Sequence, residues 1–163
     1  MMGRDVKVNE RASILVMSKR LPVRVPEMGG VFSSAFGEVY GHLGAHGVEP
    51  EGPPFVIYHS VPEGDAPVDL EICAPIGRAA DPPMGWQLTE LPGGLFATLM
   101  HVGPYNTIAT AYETLMSWIE AHDVVVSGPP REVYFSPPET PPEQIRTIVE
   151  LPVARAGVTA VAG

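Results

Sequence analysis

Cysteine is nearly absent: Cys73 stands alone among 163 residues. One thiol cannot close an internal disulfide, so the small secreted scaffolds held by such bonds are excluded. Positive charge is also scarce. Ten Lys and Arg stand against 19 Asp and Glu, a net charge of −9, and Lys19–Arg20 is the densest basic pair. Nucleic-acid backbones require a basic footprint, so direct binding to DNA or RNA is not expected. An acidic chain suits cationic or neutral partners better. No apolar run approaches the roughly 20 residues of a membrane span. The amino-terminal MMGRDVKVNE lacks the apolar stretch of a signal peptide. These absences set a cytoplasmic protein with no membrane partner as the expectation.

Hydrophobic residues make up 45% of the chain, a folding composition rather than a disordered one. The length suits one domain, or two small fused halves. Nineteen prolines and seventeen glycines call for frequent turns and short elements.

The chain repeats itself. GPPFVIYHS at 52–60 returns as GPPREVYFS at 128–136, 76 residues later. The same offset carries Phe36, Val39 and Leu43 onto Tyr112, Leu115 and Ile119, and Ala45–His46 onto Ala121–His122. With one residue of slippage ICAPI (72–76) meets VELPV (149–153), and with four KVNE (7–10) meets QLTE (87–90). Two copies are too few for a solenoid and read as a tandem duplication, about 4–76 and 86–153. GRAADPPMG (77–85), rich in Gly and Pro, is the natural linker.

Short apolar runs at 14–21 and 95–102 predict strands. Gly103–Pro104 opens a helix through His122, with Ile108, Ala111, Tyr112, Leu115 and Ile119 at helical spacing. Its twin runs from Glu27 to His46. Gly29, Gly30, Gly37, Gly41 and Gly44 each weaken it by up to about 1 kcal/mol, which predicts a shorter or frayed helix. PFVIYHS, VDLEICAP (68–75), REVYFS and EQIRTIVELPV (143–153) read as further strands. Each copy is β-β-α-β-β or a merged β-α-β-β. The expected class is α+β, two tandem β-α-β-β repeats in an antiparallel sandwich with two helices.

Side chains alternate along a strand, so Glu132, Tyr134 and Ser136 share one face and Arg131, Val133 and Phe135 the other. In the twin strand Val56 takes the place of Glu132. If that face lines a groove between the halves, one carboxylate sits among aromatics. Burying a charge is costly unless a hydrogen-bond partner, counter-ion or ligand compensates it. Solvent exposure, or pairing with a structural Arg, is the plain alternative.

HVGPY (101–105), AYETLMSWIEAHD (111–123), GPPREVYFSPP (128–138) and TIVELPV (147–153) together resemble the GyrI-like small-molecule-binding domain, which also forms the effector-binding part of AraC- and MerR-type regulators. The resemblance covers nearly the whole chain and implies a central ligand groove between two β-α-β-β units. It implies that Glu132 is the acidic residue of that groove, attracting hydrophobic aromatic, cationic compounds. Tyr105 and Tyr134 are its expected neighbours, and Phe36, Tyr40, Tyr58, Trp86 and Trp118 its candidate walls; each of these aromatics also suits the core. The similarity starts within the first dozen residues, leaving no room for a helix-turn-helix before it, so a stand-alone binder is expected. An alternative implied by stand-alone relatives is a hydrolase that opens the cyclopropane ring of DNA-alkylating antibiotics. There Glu132 would be the general base or acid, and Tyr105 or Tyr134 the hydrogen-bond donor to the developing charge. A protein-binding module like the gyrase inhibitor is a third reading.

Other signals are weaker. Glu38, His42 and His46 share a helical face, but a metal site needs a further ligand. Cys73 reads as a small buried side chain rather than a nucleophile. Asp65, Asp69 and Glu71 read as solvated charge near a hairpin loop. Neither metal nor cofactor is called for.

Overall fold

The computed structural model describes residues 6–137 and 139–156. Its strands are β1 (Lys7–Arg11), β2 (Ile14–Val23), β3 (Phe55–Tyr58), β4 (Val68–Pro75), β5 (Gln87–Leu91), β6 (Gly94–Val102), β7 (Val124–Val126), β8 (Arg131–Tyr134) and β9 (Arg146–Arg155). The helices are α1 (Met28–Ala45) and α2 (Ala109–Glu120). The strand pairs within each unit are antiparallel, and the class is α+β as expected. The short β7 has no counterpart in the sequence reading.

The chain divides into two compact units. A central unit runs from Ser13 to Pro92, and a flanking unit joins residues up to Ala12 to those from Gly93 onward. In the central unit the strand order is β5-β2-β4-β3. In the flanking unit it is β1-β6-β9-β8, with β7 also on β9. The flanking unit therefore takes its edge strand β1 from before the central unit in the chain, while the central unit ends on its own edge strand β5. Lys7 pairs with Thr98, and Ile14 with Leu91. Only Ala12–Ser13 separates β1 from β2, and only Pro92–Gly93 separates β5 from β6. Two-residue links ordinarily close hairpins, yet here each carries the chain from one unit into the other.

Each helix buries one stripe. Ala111, Leu115 and Ile119 of α2 pack on Ala97, Leu99, Val149, Leu151 and Val153. The spacing of four residues keeps the stripe on one side of the helix. Ala35, Val39 and Leu43 of α1 are buried likewise. The repeat also reproduces a detail of strand anchoring: Ser60 Oγ accepts from Asp69 N, and Ser136 Oγ from Arg146 N, both at 2.8 Å.

Two expectations need correction. α1 is neither short nor frayed; it has 18 residues against 12 for α2. Its packed stripe and the ladder of Phe32, Phe36 and Tyr40, with centroids 6.5 and 6.3 Å apart, outweigh low propensity. α2 does not begin at Gly103–Pro104. A 3-10 turn, Tyr105–Thr107, follows Pro104, and α2 starts at Ala109.

Candidate functional site

Strand register places the site. Glu132 on β8 is opposite Val149 on β9, which is opposite Leu99 on β6. Cross-strand partners point to the same side of a sheet, and Leu99 and Val149 pack under α2. Glu132 therefore lies on the helix-covered face, 7% exposed. The neighbouring row is Tyr134, Thr147 and His101, facing the same way.

Two phenols hold the carboxylate. The Tyr112 hydroxyl donates to Glu132 Oε2 at 2.7 Å, and the Tyr134 hydroxyl donates to Oε1 at 3.0 Å. Tyr112 comes from the first turn and a half of α2, Tyr134 from the same strand two residues on. Such bonds to an ionised acceptor are among the stronger hydrogen bonds of proteins. Tyr105, carried by the 3-10 turn, sets its ring edge-on to Tyr134, with centroids 6.0 Å apart and planes at 81°. It is 49% exposed. Burial pushes the Tyr105 phenol up, and the charge of Glu132 adds to the shift; Thr147 opposes it. Thr147 is fully buried, and its Oγ1 makes no well-formed hydrogen bond although it lies near enough to Tyr105 to offset part of that shift.

Glu132, Tyr105 and Tyr134, three residues singled out from sequence, thus meet within one unit. Tyr112 was missed because its helical spacing marks it as core. The repeat held the missing signal: where Glu132 replaces Val56, Tyr112 replaces Phe36. The carboxylate and its donor are a matched polar pair standing where the twin has a matched apolar pair.

The remaining aromatic candidates have other surroundings. Trp118 stacks on His122, centroids 3.8 Å apart and planes 13° apart. Phe36, Tyr40, Tyr58 and Trp86 belong to the central unit. Trp86 donates its indole N–H to Glu38 at 3.1 Å, and Lys19 Nζ lies 5.9 Å from its ring centroid. Tyr40 buries its hydroxyl without a hydrogen-bond partner among the described residues, and burial pushes its phenol up to about 12.

The polar residues of the weaker signals are otherwise engaged. His42 Nε2 lies 2.8 Å from the Asp81 carbonyl, and His46 Nδ1 lies 2.9 Å from the His42 carbonyl. Among the described residues no group of three His, Cys, Asp or Glu could hold a metal ion. Cys73 is buried. Glu71 corrects an expectation: it is not solvated but buried, 2.9 Å from His59 Nε2. Its strand neighbour Asp69 does face solvent, in a two-pronged pair with Arg20 at 2.8 and 3.0 Å. Across the sheet from the candidate site, Arg11 binds buried Glu150 at 2.8 Å, and Arg11 and Arg131 both lie over the Phe96 ring.

Comparison with known proteins gives the following. The model of the GyrI-like small molecule binding domain matches residues 4–154. No curated protein sequence matches. Among solved structures, the EcmrR C-terminal domain superposes with a TM-score of 0.81 at 22% identity, over 95% of this chain and 100% of that one. In a complex of EcmrR with DNA the match has the same score and spans 58% of that longer chain. A hydrolase encoded by lin2189 from Listeria innocua gives 0.68 at 14% identity, over 93% of this chain and 92% of that one. SAV2435 bound to tetraphenylphosphonium gives 0.58 at 14%, over 96% of each. At these identities the likeness is one of fold.

Proposed function

The chain belongs to the GyrI-like small-molecule-binding family, matched over residues 4–154, and from that premise we propose that it binds hydrophobic aromatic cations at Glu132. The observation that carries this reading is the carboxylate itself: 7% exposed, with each oxygen held by a tyrosine hydroxyl. A charge fixed in a partly dry setting acts over a longer range than one in water. Its field is felt at the half-exposed Tyr105 phenol. A lipophilic cation approaching over Tyr105 and Tyr134 gains this field together with attraction to the ring faces. The phenols also hold the carboxylate in place before a ligand arrives, which lowers the ordering cost of binding. SAV2435, of the same fold, was solved with tetraphenylphosphonium, a cation of this chemical kind.

Calorimetric titration with tetraphenylphosphonium, beside neutral triphenylphosphine oxide, tests the proposal. Glu132→Gln keeps an acceptor for one tyrosine and removes the charge. We expect it to weaken the cation at least about tenfold, equivalent to ~1.4 kcal/mol, and to leave the neutral compound almost unaffected. Equal affinities of the cation for both proteins would sink the reading.

The same site supports hydrolysis as a second reading. A buried carboxylate is a candidate general base toward water, with Tyr105 a donor to developing charge. Mass spectrometry of a cyclopropane-bearing alkylator incubated with the protein distinguishes the two. Many ring-opened molecules per protein select hydrolysis; none selects binding.

A further inference from the structure

His101 lies in the buried row beside Thr147 and Tyr134, 4% exposed. Its side chain turns to the connection that follows β6. Nε2 lies 3.1 Å from the Pro104 carbonyl oxygen and 3.2 Å from Thr107 Oγ1. Thr107 Oγ1 donates to the same carbonyl at 2.8 Å, and Thr107 N does so at 3.1 Å. A carbonyl only accepts, and the threonine hydroxyl has spent its proton on it. The arrangement is satisfied when His101 Nε2 carries hydrogen and donates to Pro104.

The bonded group is the one that carries Tyr105. Gly103 has φ of +138°, and its N–H donates to the Ile145 carbonyl at 2.8 Å. A Cβ at Gly103 would lie 3.6 Å from both His101 Nε2 and Thr107 Oγ1. Pro104 then fixes the entry into the 3-10 turn, and Tyr105 is its first residue. The turn is thus anchored from below by one imidazole on a rigid strand. A half-exposed ring on a loop would otherwise sample several positions.

We propose that His101 is a positioning residue: by holding the Pro104 carbonyl it sets Tyr105 edge-on to Tyr134, and so fixes the aromatic part of the Glu132 site. The assignment of Tyr105 to ligand rests on the function proposed above, but its placement by His101 does not, and the two fail separately.

Tyrosine labelled with carbon-13 at Cζ reports each phenol by NMR, and Tyr105→Phe identifies the Tyr105 signal. In the unaltered chain that phenol should titrate above free tyrosine. In His101→Leu the ring loses its anchor, and we expect the titration to move back toward that of free tyrosine. Tetraphenylphosphonium should bind about fivefold more weakly. His101→Gln keeps an N–H near the position of Nε2 and should restore both. Where His101→Leu does not fold, exposed Thr107→Val removes the turn's own hydroxyl and should give the same changes in smaller measure. An unchanged Tyr105 titration in the leucine protein, or in the valine protein where that one is read, overturns the proposal. Failure of glutamine to restore what leucine lost also overturns it. If the unaltered protein binds no tetraphenylphosphonium, the ligand reading falls, and the NMR titration alone judges His101.

Discussion

A single polar residue in a packed interior is an expense; a polar pair is a device. Glu132 on a helix-covered sheet face would carry a large desolvation cost without donors, and Tyr112 and Tyr134 supply them. In the central unit Val56 and Phe36 hold the corresponding places. The opposite exchange occurs on the other sheet face, where His59 and Glu71 stand at the repeat positions of Phe135 and Ile148. Tyr40 shows the contrary case, a buried hydroxyl with no partner among the described residues. Replacing it by Phe removes an unsatisfied group, and we expect stability to rise by about 1 kcal/mol in urea unfolding. The phenol is raised to about 12 in the folded chain against about 10 unfolded. The folded state therefore holds its proton longer. This contribution is intact below about pH 10 and is lost as pH rises through 12. Tyr40→Phe should flatten the fall of the urea midpoint over that window.

At the scale of elements, α1 is the instructive case. Five glycines fall within its 18 residues, yet it outlasts α2. Propensity is a weak prior when a helix has a buried stripe to lay down. An added Cβ at Gly37 or Gly41 would meet nothing within 4 Å. Gly41→Ala is therefore expected to stabilise the fold by about 0.5–1 kcal/mol, seen as a higher thermal midpoint; a lower one would mean that the open face is covered by something else. The strands were easier to read than the helices, because alternating or continuous apolar runs mark them directly. β4 falls where VDLEICAP predicted it. β7 was missed because three valines between a helix and a Gly-Pro-Pro turn are too short to show a period.

For the whole molecule the governing fact is that the flanking unit is not one continuous stretch: it joins residues up to Ala12 to those from Gly93 onward, whereas the central unit runs unbroken from Ser13 to Pro92. β1 completes the flanking unit and β5 the central one. Arg11 secures β1, bonding to buried Glu150 and lying 5.1 Å from the Phe96 ring centroid. Arg11→Met would leave that carboxylate without this partner. Removing one member of a buried ion pair costs about 3–5 kcal/mol, and a third-exposed arginine should cost less, roughly 1–3 kcal/mol. Hydrogen exchange should show β1 and the facing residues of β6 opening first; uniform loss of protection across both units would contradict that role for Arg11.

The amino-acid sequence by itself determined the duplication, the α+β class, most strands and the break of symmetry at Glu132, because each is written in local periodicity or in direct comparison of two copies. It could not determine which strand completes which unit. β1 and β5 are near-equivalent edges, each two residues from a neighbour with which it does not pair, and that choice depends on cross-strand contacts such as Arg11 with Glu150. Nor could it bring Tyr112 to Glu132, since a tyrosine at helical spacing reads as core until the helix is laid on its sheet. Only tertiary structure decides where a hydroxyl at the end of an apolar ring comes to rest.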